Sequence, residues 1–166
     1  NELIDVMFDG DMPNEDAMVE VVRKYQKIHK ESPVETIAIP KGVKDYKKYD
    51  IDFSKGLKFI PATPIHNRAS INHNYMVQKY KLPLREIDDG AKIKYLFVNE
   101  NNELHQNVIA FDDEWPELFD QKFKIDRDEL FTKTFLDISQ RMFDALGFKK
   151  ISLKQNKMGM FLKKDK

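Results

Sequence analysis

The feature that most restricts this chain is a change of apolar period along its length. Leu130, Phe131, Phe135, Ile138, Met142 and Leu146 recur at three- and four-residue steps, and Gly147 follows. That spacing lays one apolar stripe along a helix, which must bury it against a partner. Asp126, with Glu129 three residues on, is a capping-box start, and Gly147 suits a left-handed stop. Met18, Val21, Val22, Tyr25 and Ile28 keep the same period earlier in the chain. They follow Asn14 as N-cap, with Glu15 and Asp16 in the first turn, and precede Pro33. Between these two stretches the pattern shortens. Val34 to Ile39 is rich in β-branched residues and reads as extended, stopped by Pro40. Ile93 to Val98 and Val108 to Phe111 read as two strands around the turn-rich Asn99-Glu100-Asn101-Asn102. Thr63 is the expected cap of a further helix with Pro64 at its first position, bounded by Pro83. The order helix, extended, helix, hairpin, helix makes the expected class α+β: several helices with a β hairpin. The expected layout is one domain over 13–148, with a short N-terminal arm at 1–12 and a basic C-terminal arm at 149–166.

A chain of 166 residues can bury a real core. It has no cysteine, which removes disulfides, thiolate nucleophiles and thiolate metal sites together. No apolar run approaches the ~18 residues of a membrane span, so a membrane partner is not expected. Lys+Arg and Asp+Glu both number 28, for a formal charge of zero. The zero is a cancellation: residues 1–40 carry −5, 41–94 carry +6, 95–148 carry −7 and 149–166 carry +6. Binding of a polyanion follows the local field, so a neutral mean leaves a basic face free to grip one.

Catalytic patterns are sparse. There is no nucleophile elbow, and no glycine-rich loop precedes a Lys-Ser or Lys-Thr pair. His66 and His73 are seven apart, but two imidazoles alone do not make a zinc site, so a polar helix face is expected there. Asp50 and Asp52 have the spacing of a magnesium pair. The further carboxylates of a two-metal centre are not evident, and flanking Lys48 and Lys55 suggest a solvated loop. Asp112-Asp113-Glu114 reads as an acidic turn. What remains is binding chemistry. From Lys41 to Lys94, Lys and Arg interleave with Tyr, Asn, His and Gln, the donors that hold a nucleic-acid backbone. The same composition also fits tyrosines 46, 49, 75 and 80 packing a small core beneath solvated lysines. Composition alone leaves both readings standing.

Lys41-Gly42-Val43-Lys44-Asp45-Tyr46-Lys47-Lys48-Tyr49 and Thr63-Pro64-Ile65-His66-Asn67-Arg68-Ala69 resemble the thumb region of T-even-like phage family B DNA polymerases. The family's short "KY" helix is followed by a "PxHxR-small" helix start with an Asn soon after, here Asn72 or Asn74. A lysine-bearing hairpin matches Lys92-Ile93-Lys94-Tyr95 through Val108-Ile109-Ala110-Phe111, and an "EL/LF-K-TF" helix matches Glu129 to Phe135. The family's glycine is replaced here by Ala69, and its aromatic-Pro-Ser-Gly by Phe111-Asp112-Asp113.

The resemblance implies a thumb-like module that grips the primer–template duplex without regard to sequence and aids processivity. It implies no catalytic residue and no metal in this chain, with Mg2+ held only by the palm. The phosphate and sugar contacts it implies are Lys58, Arg68, Asn72, Lys79, Lys92 and Lys94, with Lys41, Lys44, Lys47 and Lys48 behind them. The implied partners are double-stranded primer–template DNA, the palm and fingers polypeptide, and a sliding clamp. The implied location is the cytoplasm of an infected bacterial host. In the tail, Gln155, Met158, Phe161 and Leu162 have the spacing of a clamp-binding box, while Ile151 to Leu162 can also form a hairpin. The apolar segment Leu3 to Phe8 is expected to be the remnant of a palm junction. The alternative is an independent small phage protein whose basic face binds a protein partner or RNA.

Overall fold

The computed structural model describes residues 15–147, with Ile138 described by its backbone alone. Leu3 to Phe8, the Asn14 cap and the clamp-like Gln155, Met158, Phe161 and Leu162 lie outside the described residues. The chain is α+β, as expected, and divides into two compact units. One holds residues 33–130; the other holds 15–32 together with 131–147 of the described residues. No described helix is long and apolar enough to cross a membrane.

In the second unit, α1 (Glu15–Glu31) buries Met18, Val21 and Val22, three of its five expected apolar positions. Tyr25 is partly buried, with its ring 5.3 Å from Phe135, while Ile28 is 44% exposed. The C-terminal stripe differs from its expected form. The helical run α6 (Arg127–Phe131) continues through a π turn at Thr132–Leu136 into α7 (Asp137–Ala145). A π turn inserts one residue, which rotates everything after it on the helix surface. Leu136, Ser139 and Phe143 are therefore buried, whereas Phe135, Met142 and Leu146 are only partly buried. Asp126 performs its capping role, accepting the Glu129 amide at 3.0 Å. Gly147 takes a positive φ of 71°, which glycine adopts without strain.

The unit 33–130 is built on a three-stranded antiparallel sheet, β1 (Ile39–Gly42), β2 (Lys92–Phe97) and β3 (Val108–Phe111), in that order. The two expected hairpin strands are present. The segment before them is not the single strand read from sequence: Val34–Ile37 is one helical turn, α2, closed by Ala38 N–H to Val34 O at 3.0 Å. The strand follows it and runs through Pro40. Register explains why proline does not stop it. Val43 N–H donates to Ala91 O, so the bonded pairs of this ladder are Lys41–Ile93 and Ile39–Tyr95. Pro40 is a non-bonded position whose nitrogen faces the free edge, where a missing N–H costs no ladder bond.

The other edge is covered. Val98 N–H bonds Asn107 O, so Leu96–Ile109 and Lys94–Phe111 are the bonded pairs, and Val108 and Ala110 point their backbone groups outward. Helix α4 (Ile65–Tyr80) packs along β3 at that edge. An uncovered edge is a template for unwanted pairing, and α4 removes it. Ile71, Met76, Leu96, Ile109, Phe111 and Phe119 make the centre of this core. Short helices α3 (Tyr46–Tyr49) and α5 (Glu117–Lys122) and a 3-10 turn at Phe53–Lys55 complete the unit.

Candidate nucleic-acid interface

Helix α4 carries three of the six first-ranked binding residues, Arg68, Asn72 and Lys79. Its polar residues do not form the expected solvent-facing side. Asn67, Asn72, His73 and Asn74 are all buried, and each bonds a segment distant in sequence. Asn67 Nδ2 donates to Lys44 O at 3.0 Å, and Asn72 Nδ2 donates to Val108 O at 2.9 Å. His73 Nδ1 lies 2.9 Å from Ala110 O. Asn74 Nδ2 donates to Ile87 O and to the Tyr46 hydroxyl, both at 2.8 Å, and Asn74 Oδ1 accepts Ile87 N–H at 2.7 Å. Buried polar groups must be paired, and here the pairing ties α4 to β3, to the 43–46 loop and to the 81–91 connector. Burial pushes the Tyr46 hydroxyl up to about 12, with the Asn74 bond acting against it and Asp50 adding to it.

The start of α4 is open. Thr63 is not its cap: its hydroxyl donates to Ile60 O at 2.5 Å, and Pro64 occupies the N-cap without a side-chain bond. The first helical bond is Arg68 N–H to Pro64 O, which leaves the amides of Ile65, His66 and Asn67 ahead of it without a cap. No acid lies in this first turn. The positive end of the helix dipole is thus uncompensated by the helix itself. Burial, and after it the charge of Lys41, hold the His66 imidazole below its usual value.

Around this end the expected cations separate into two sets. Lys41 lies on β1 opposite Ile93, and Lys92 lies on β2 opposite Gly42, so the two sit on adjacent rungs and their side chains leave opposite faces of the sheet. Lys44 follows on the loop whose carbonyl Asn67 holds. All three are exposed, and among the described residues none makes a side-chain hydrogen bond or ion pair. Lys47 and Lys48 project from α3, whose first amides, Tyr46 and Lys47, are taken by the Asp89 carboxylate at 2.6 and 3.4 Å. Lys48 Nζ lies 5.2 Å from the centre of the Tyr49 ring. Lys58 is exposed beyond the 3-10 turn.

The remaining candidates have structural duties. Asn72 is buried and offers nothing at the surface. Lys94 Nζ bonds Glu35 O at 3.0 Å, and half-buried Arg68 donates from Nη1 to Asn107 Oδ1 at 3.1 Å. Lys79 pairs with Glu103 at 2.6 Å, and Lys122 and the Tyr80 hydroxyl also reach that carboxylate. Eleven residues of helix put Lys79 about 16 Å from Arg68 along the axis. The structure therefore leaves Lys41 and Lys44 exposed beside the start of α4, while of the six first-ranked residues Lys58 and Lys92 remain exposed elsewhere, Lys92 on the sheet face opposite Lys41. The sequence signal for this is the pair Lys41 and Lys44 on either side of Gly42-Val43, and strand register sets Lys92 apart from Lys41. The tyrosines follow the core reading: Tyr46 is buried, and Tyr49, Tyr75 and Tyr80 pack partly buried against it.

A cleft of about 540 Å³ lies in the same unit, with Asp50, Asp52, Glu86, Asp88, Phe53 and Lys47 in its lining. Asp52 is engaged locally, its Oδ1 accepting the Ser54 amide at 3.0 Å and hydroxyl at 2.7 Å. These bonds hold its carboxyl below the usual range. Asp50 accepts the Ile51 amide at 2.9 Å. Both carboxylates thus serve the local backbone, and among the described residues no group of three His, Asp or Glu side chains has the arrangement of a metal site. Compared with protein-family models and with curated proteins, the chain has no match.

Proposed function

We propose that this chain binds the sugar–phosphate backbone of duplex DNA without sequence preference, as the thumb portion of a phage family B DNA-directed DNA polymerase. The observation that carries the reading is the unneutralised pair Lys41 and Lys44 beside the uncapped start of α4. Backbone recognition needs cations and N–H donors that are not already spent on internal partners. These two lysines and the first-turn amides of α4 meet that condition, and Lys47, Lys48, Lys58 and Lys92 are further exposed cations of the same unit. The resemblance in the "KY" and "PxHxR" segments supplies the polymerase context, and α3 with the first turn of α4 are where those segments lie.

In this reading the chain holds the duplex and catalyses nothing. The palm carries out nucleotidyl transfer, in the cytoplasm of the infected bacterium, and Gln155, Met158, Phe161 and Leu162 of the tail dock in the sliding clamp. The test is fluorescence anisotropy with two labelled duplexes of unrelated sequence, titrated from 50 to 300 mM salt. Equal affinities that fall steeply with salt support the reading. Salt-independent binding, or preference for one sequence, refutes it.

A further inference from the structure

His73 is 1% exposed and lies between two backbone carbonyls of different segments. Nδ1 is 2.9 Å from Ala110 O on the β3 edge, and Nε2 is 3.2 Å from Arg85 O in the 81–91 connector. A neutral imidazole has one proton and can donate to only one of them. The β3 contact is the shorter, and that carbonyl is buried, so the neutral ring carries its proton on Nδ1. The Nε2 lone pair then faces the Arg85 oxygen without a bond. Only imidazolium donates to both.

We propose that His73 is a buried proton-binding clasp, whose protonation at Nε2 fastens the 81–91 connector to α4. The proton comes from solvent, and the N–H formed donates to Arg85 O; no other bond is made or broken. The groups facing the ring from each packed element are known. Asp112, after β3, and Glu86, on the connector, both favour the charged form, while α5 contributes only the Phe119 ring, edge-on at 5.6 Å. Burial is the larger influence and places the transition below the usual imidazole value. The connector holds two things besides Arg85: Glu86 to Asp88, which form one wall of the cleft, and Asp89, which caps α3. Acidification thus reaches the cleft wall and the α3 lysines through a residue that touches neither.

The experiment is NMR of the full chain with 15N-labelled imidazoles, from pH 8 to the onset of acid unfolding, with amide exchange read at Ile87 and Gly90. At pH 8 the expected state is Nδ1 protonated and Nε2 bare. On acidification both nitrogens become protonated while the fold persists, and exchange at Ile87 and Gly90, corrected for intrinsic rates, slows about tenfold. Asp112→Asn leaves the ring and its bonds in place and is expected to move the midpoint to lower pH. Three results would each overturn the proposal: Nε2 protonated at pH 8, a ring that stays neutral until unfolding, or connector exchange that is unchanged or faster once both nitrogens carry protons. His73→Gln, where it folds, is expected to make connector exchange independent of pH.

Discussion

Asn74 is the residue at which polar burial and architecture are most tightly joined. It is 2% exposed and makes three hydrogen bonds, to Tyr46 Oη, Ile87 O and Ile87 N–H. In Asn74→Ala all three partners lose their bond at once. A buried polar group left unpaired costs roughly 1–3 kcal/mol, and the three are not additive, because Tyr46 and Ile87 line the cleft and water can enter. A loss of about 3–4 kcal/mol is therefore expected. The assay is urea unfolding followed by fluorescence of Trp115, the single tryptophan, which packs against Phe111 and Phe119 in the 33–130 unit. With an m-value of about 1–1.5 kcal/mol/M for a unit of this size, the midpoint falls by about 2 M or more. Gln78→Ala, which removes only an exposed bond to Glu86, serves as control and is expected within about 0.5 kcal/mol of the parent. A loss below about 1 kcal/mol for Asn74→Ala would refute the reasoning that inward polar contacts hold α4 to its neighbours.

Stability is expected to decline on mild acidification. Burial holds both His66 and His73 below the ordinary imidazole value of 6.5. The unfolded chain then binds protons more readily than the fold, so stability is full above that value and is lost as pH drops through and below it. Thermal unfolding between pH 8 and pH 5 checks this, and a melting temperature that rises on acidification contradicts it. Asp89→Ala removes the acceptor of the Tyr46 and Lys47 amides. It is expected to cost about 1 kcal/mol in the same urea assay and to speed amide exchange at Tyr46, whereas exchange unchanged at Tyr46 would show that Asp89 does not cap α3.

What sequence reading can see here follows from the range of the forces involved. The short apolar, β-favouring runs Ile93 to Val98 and Val108 to Phe111, set off by Asn99 to Asn102, are local signals, and those strands are found where expected. The period of Met18, Val21 and Val22 likewise marks a true buried face. Asn72 and His73 were different. Their partners Val108 and Ala110 lie 36 and 37 residues away, and no local pattern distinguishes an asparagine aimed at phosphate from one aimed at a sheet edge. Pro40 lies within a strand for a related reason: whether proline breaks a strand depends on which side its nitrogen faces, and that is fixed by pairing with β2. The π turn at Thr132–Leu136 moved the last stripe by one position, a shift that apolar spacing alone does not encode. The best binding candidates changed by the same logic, since Lys79 and Lys94 are occupied by Glu103 and Glu35, which are remote in sequence.

The most direct test of the proposed interface compares salt slopes. The variant Lys41→Ala/Lys44→Ala removes the two exposed cations beside the start of α4 and leaves the buried asparagines of α4 untouched. Each phosphate contact contributes about 0.9 to the slope of log affinity against log salt on duplex DNA. Duplex affinity measured by anisotropy across the salt series is therefore expected to show a slope shallower by about 2 in the double variant, for every duplex sequence tried. A double variant that keeps the parent's slope would contradict the account.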